Sequence, residues 1–133
     1  LATTFNQTQF RGRNDDGTQV TATWIAATNA NWGQKPGVTF RLRFTISQTS
    51  TAGTLAGQLQ VQKNALGWAS VTGSSSVAKA VASGTVTDGT ATTQLISTGT
   101  FVAGSTDTAD GLCATTGSIA SGSFTELEFC LQI

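Results

Sequence analysis

The sequence predicts an all-β chain: a single antiparallel β-sandwich, immunoglobulin-like or jelly-roll-like, of about 8–10 short strands. Three observations carry this. Val38, Phe40, Leu42, Phe44 and Ile46 share one parity, and Thr39, Arg41, Arg43 and Thr45 share the other. That is the period of a strand with one face on a core. Leu127, Phe129, Leu131 and Ile133 repeat the pattern near the other end of the chain, against Phe124, Glu126, Glu128, Cys130 and Gln132. Between these runs, turn pairs such as Asp16-Gly17, Pro36-Gly37 and Asp88-Gly89 recur.

Thr4 to Phe10 reads as a first strand. Phe5 and Phe10 fall on opposite parities, so a bend, a bulge or a sheet switch is required. Asp16-Gly17 suits a tight turn with positive dihedrals, and Gln19 to Ile25 follows with Val20, Ala22 and Trp24 on one face. Residues 4–25 therefore read as a hairpin. Residues 26–37 connect to the strand that starts at Val38, and Trp32 within them either plugs the end of the core or meets a partner. Leu59 to Lys63 and Gly67 to Val71 form a second hairpin around the turn Asn64-Ala-Leu-Gly67. Residues 77–83 fit a strand or a short helix by pattern; the valines and nearby glycines favour the strand. Thr92 to Ile96 and Gly99 to Ala103 read as short strands, and residues 104–122 as loop. No linker or repeat divides residues 1–133, which are one domain by length.

Charged residues make up only 11% of the chain and the formal net charge is zero. Such a chain has no general attraction to nucleic acid or to anionic membranes. No apolar run approaches the ~20 residues that span a bilayer. The chain contains no Met and begins at Leu1, which reads as a processed product or a part of a longer chain. Cys113 and Cys130 allow one disulfide, with a pair of free thiols as the alternative. The bridge would pin the 104–122 loop over the outer face of the last strand.

With no His, neither a Ser-His-Asp nor a Cys-His arrangement can form within this chain. Glu126 and Glu128, two apart on one strand face, could serve paired-carboxylate chemistry. The simpler reading pairs them across strands with Arg41 and Arg43 on the outer, solvent-facing surface. Asp15, Asp16, Asp88, Asp107 and Asp110 lie in turn-rich stretches without calcium-loop spacing. No catalytic residue, metal or cofactor is expected. Trp24 has core parity; Trp32 and Trp68 remain as interface or glycan contacts.

Three blocks carry a resemblance: residues 10–24, Phe-Arg-Gly-Arg-Asn-Asp-Asp-Gly-Thr-Gln-Val-Thr-Ala-Thr-Trp; residues 39–45, Thr-Phe-Arg-Leu-Arg-Phe-Thr; and residues 125–133, Thr-Glu-Leu-Glu-Phe-Cys-Leu-Gln-Ile. In order and spacing the chain resembles β-sandwich virion surface and capsid-decoration proteins of tailed bacteriophages. Residues 47–110 match only loosely, and the loop with Trp32 is particular to this chain. The resemblance implies a structural role, not an enzymatic one. It implies protein partners, either capsid or fibre subunits or further copies of the chain, and a place on the virion surface. The competing expectation is a secreted adhesin or carbohydrate-binding module, in which case a glycan is the partner.

Overall fold

The computed structural model describes residues 2–133. It is all-β, with no helix among the described residues. The strands are β1 (Phe5–Asn14), β2 (Phe40–Gln48), β3 (Gln60–Gln62), β4 (Trp68–Ser70), β5 (Lys79–Ala80), β6 (Thr106–Asp107) and β7 (Phe124–Gln132). The main sheet runs β1-β2-β7-β5, with β6 also paired to β7; β3 and β4 form a separate two-stranded sheet. Pairing is antiparallel except between β6 and β7. Three long strands build the frame. The rest of the chain is held by short strands and single bridges, fewer regular strands than the turn spacing suggests.

β1 keeps both of its phenylalanines on one face by a register shift between Gln7 and Gln9. The extra residue resets the alternation, so Phe5, Gln7, Phe10 and Gly12 all oppose the Ile46 parity of β2. The outer edge of β1 is then closed by residues 23–29: Asn14 N–H donates to Thr23 O, Ile25 N–H to Gly12 O and Asn29 N–H to Phe10 O.

The expected 4–25 hairpin is not a two-stranded ladder. Only one bridge, Arg13 to Trp24, links its halves, and β1 pairs with β2 instead. Gly17 does not take a positive φ. The Asp16 carboxylate instead ties the turn by accepting from Thr23 N–H at 2.8 Å and from the Thr23 hydroxyl. Side-chain capping has replaced the tight-turn geometry. The Pro36-Gly37 and Asp88-Gly89 turns do form, with φ of 74° and 80° at their glycines. The β3–β4 hairpin turns as read, through Asn64 and Gly67 in the left-handed region.

The core lies on one face of the main sheet. Phe40, Leu127, Phe129 and Leu131 are buried there with Val71, Ala78, Ala80 and Cys113. Phe44 meets Phe129 edge-on, with ring centroids 6.0 Å apart. Leu42, Phe44 and Ile46 are only half-buried, and Val38 (46% exposed) and Ile133 (45%) lie outside the core they were expected to join. The cover over this face, drawn from residues 55–71, Ala78 and the loop around Cys113, leaves an open groove over Phe44 and Ile46.

Cys113 and Cys130 are free, buried thiols, not a disulfide. They lie on opposite faces of β7. Cys130 stands opposite Arg41 on the charged parity, whereas Cys113 packs in the apolar cluster with Leu127 and Phe129. The 104–122 loop thus covers the apolar face at Cys113, not the charged one. Burial pushes both thiols up to about 12. Iodoacetamide in mildly alkaline buffer should therefore leave the native mass unchanged. The same reagent on denatured, unreduced protein should add two alkyl groups; no addition there, with two after reduction, would show that the two thiols have formed a bond.

Candidate functional site

The charged parity of the sheet is the more deeply buried one. Arg13 from β1, Arg41 and Arg43 from β2, and Glu126 and Glu128 from β7 are all 0% exposed. Antiparallel register brings them together, with Arg13 opposite Arg41 and Arg43 opposite Glu128. Arg41 donates to Glu128 Oε1 at 3.0 Å; Arg13 (3.2 Å) and Arg43 both donate to Glu128 Oε2. Arg43 Nε donates to Glu126 Oε1 at 2.7 Å. Asp15 lies 3.2 Å from Arg41 Nε without hydrogen-bond alignment. The four residues expected to pair on the outside do meet, but inside the molecule. The expectation of a solvent-facing pair is overturned by what lies on top of them.

That cover is irregular chain, and irregular chain leaves backbone groups without ladder partners. The cluster supplies them. Arg13 donates to the carbonyls of Gln19, Val20 and Ala22, Arg41 to those of Gly17 and Thr18, and Arg43 to that of Thr93. Glu126 does the converse, accepting from the N–H groups of Leu95, Ile96 and Ser97 and from the Ser97 hydroxyl at 2.7 Å. Burial alone would raise the Glu126 pKa. Hydrogen bonds from Arg43 and Ser97 outweigh it and hold the carboxyl below its ordinary range. Burial pulls Arg13 down, against the opposing pull of Glu128. Three guanidinium groups face the three carboxylates of Asp15, Glu126 and Glu128, so the assembly is neutral as a whole. A further contact adjoins the cluster: the Arg11 and Arg13 guanidinium carbons lie 4.3 and 4.4 Å from the Trp24 ring centroid. Trp24 is half-buried by cations, not by an apolar core.

Glu126 and Glu128 therefore face no cavity, and their oxygens are occupied by donors from this chain. The pattern could have disclosed Arg13, since Arg11 and Arg13 alternate as Arg41 and Arg43 do. Nothing in the sequence marks Gln19, Thr93 or the 95–97 amides as their partners.

The open site lies on the other face of the sheet. A groove of about 530 Å³ runs over Phe44, Ile46, Leu127 and Phe129. Phe5 and Gln7 of β1 form one wall, and residues 55–60 with Trp68 form the other. No ionisable side chain lines it. Trp68 is 68% exposed at its rim, and Leu66 at the hairpin tip is 82% exposed. Trp32 is elsewhere. Its ring packs edge-on against Phe40 at 6.1 Å and fills the space above Gly12, where an added Cβ would lie 2.7 Å from it. Its N–H donates to Gln34 at 3.0 Å. Trp32 plugs the end of the core, and of the two tryptophans kept as contacts only Trp68 presents a free face. Among the described residues no group of His, Cys, Asp and Glu is arranged to hold a metal, and no helix is long and apolar enough to cross a membrane. No protein-family model matches the chain, and no curated protein or solved structure matches it either.

Proposed function

We propose that this chain is a structural virion component: a capsid-decorating or fibre-associated surface protein that acts through protein–protein contacts and not as an enzyme. The observation that carries the reading is the β3–β4 hairpin, which holds Leu66 and Trp68 out in solvent beside an uncharged groove. Large exposed apolar side chains grouped at one tip are what a docking contact requires. The resemblance of residues 10–24, 39–45 and 125–133 to decoration proteins supports the same reading. So does the two-layer arrangement of a long sheet backed by a short hairpin, which fits the sandwich class of those proteins.

The test is sedimentation of the native material followed by electron microscopy. The wild-type chain is expected to travel with a symmetric shell or fibre. Leu66→Ser with Trp68→Ser should leave the fold intact, since both side chains are exposed, and should shift the chain to the unbound fraction. A second reading, a secreted glycan-binding module, is favoured by Trp68 lining one groove with Gln7 and Gln60. A free monomer whose tryptophan fluorescence titrates with neutral oligosaccharides, and does so only when Trp68 is present, would replace the first reading with the second.

A further inference from the structure

We infer that β1 carries a self-pairing edge: two copies of this chain join antiparallel through residues 5–7, about a two-fold axis at Asn6. Backbone hydrogen bonds fix which groups of β1 face outward. Thr49 N–H donates to Thr4 O, and Gln48 directs its N–H to Ser123 O and its C=O to Gly122 N–H. In an antiparallel ladder these roles alternate. Thr4 and Asn6 therefore face β2, and the N–H and C=O groups of Phe5 and Gln7 face away from it. Residues 23–29 close the edge only from Phe10 to Asn14, and no described residue pairs with the Phe5 or Gln7 backbone. The register shift near Thr8 ends the regular run, so the open edge is short and sharply bounded.

An open edge is a template for another strand. The edge itself selects the occupant. Pairing Phe5 with Gln7 of a second copy sets outward groups against outward groups in both directions, which makes the contact self-complementary. From Thr3 to Phe10 the chain carries no charge, so two identical edges meet without repulsion. Lysine and proline, common blocks on such edges, are absent from this segment. The two-fold also keeps the apolar faces of both sheets on one side. Phe5 and Gln7 line the groove, so the second copy sets its Phe5 beside Gln7 and extends the groove across the junction. This pairing does not depend on what the hairpin tip of Leu66 and Trp68 meets.

At the axis, Asn6 lies opposite Asn6 of the second copy in a non-hydrogen-bonded pair, where side chains are closest. Its side chain is exposed, so a substitution there spares the fold. Analytical ultracentrifugation from micromolar to millimolar concentration reads the result. Wild type should dimerise as concentration rises. Asn6→Lys and Asn6→Glu, each placing like charges face to face, should each weaken the dimer by about tenfold or more, equivalent to ~1.4 kcal/mol. An equimolar mixture of the two variants should restore it. A wild type that stays monomeric throughout would overturn the inference, as would an oligomer indifferent to Asn6→Lys. Weakened single variants that the mixture fails to restore would overturn the register at Asn6. A monomeric Asn6→Lys that still travels with a particle would leave the proposed function standing.

Discussion

Glu128→Ala is expected to lower folding stability by about 3–5 kcal/mol, the usual result of removing one partner from a buried ionic group. Glu128 accepts from Arg13, Arg41 and Arg43, so its loss leaves three guanidinium groups facing one another in a site with no solvent access. Exposed pairs of the same residues would contribute only ~0–1 kcal/mol, and urea unfolding separates these magnitudes without ambiguity. Charge reversal sharpens the test. Arg41→Glu combined with Glu128→Arg restores a simple cross-strand pair. It should not restore stability here, because Arg41 also donates to the Gly17 and Thr18 carbonyls. A glutamate in its place would turn an acceptor toward acceptors. Recovery in the double variant would show that the backbone contacts are unimportant and that the charges pair in isolation.

The same contacts explain what the sequence could and could not disclose. Alternation identifies which residues share a face, and it placed Arg41 and Arg43 together, as it did Glu126 and Glu128. It cannot say which face is covered. The usual inference that charge faces water fails here because the segments over the charged face are loops. Loops bring carbonyls and amides that need partners, and arginine and glutamate side chains meet that need where leucines could not. The apolar parity is covered less completely, so Phe44 and Ile46 become the floor of an open groove and not the centre of a core. The β3–β4 hairpin was legible because its turn residues sit at the needed positions, with φ of 54° at Asn64 and 91° at Gly67. Residues 19–25 were not, since an alternating pattern there serves to present three carbonyls to Arg13 and forms only one bridge. The groove was illegible for a further reason. It depends on residues 55–60 reaching across the sheet to Leu127, a contact with no local sequence mark beyond Gly57, where an added Cβ would lie 2.3 Å from Leu127.

Gly111→Ala should cost about 2–5 kcal/mol, combining a left-handed backbone (~1–2 kcal/mol) with overpacking (~1–3 kcal/mol). Gly111 has a φ of 77°. An added Cβ would lie 2.3 Å from the Val71 carbonyl oxygen and 3.1 Å from the Val71 Cβ. Neither neighbour can retreat easily. Val71 N–H donates to Leu59 O at 2.9 Å, and Leu59 N–H donates to Gly111 O at 2.8 Å. Gln58 reaches both the Val71 and the Gly111 carbonyls, and Gly111 N–H is held by Asp107 Oδ2 at 2.8 Å. Three segments are thus tied at one point, and two of its residues, Gln58 and Leu59, also line the groove. Gly122→Ala supplies the control. Its φ is 80°, but nothing lies within 4 Å of the added Cβ, so only the backbone cost of ~1–2 kcal/mol remains. Urea unfolding of both variants measures the difference. If Gly111→Ala costs no more than Gly122→Ala, the three-way junction yields, and the wall of the groove is not fixed by it.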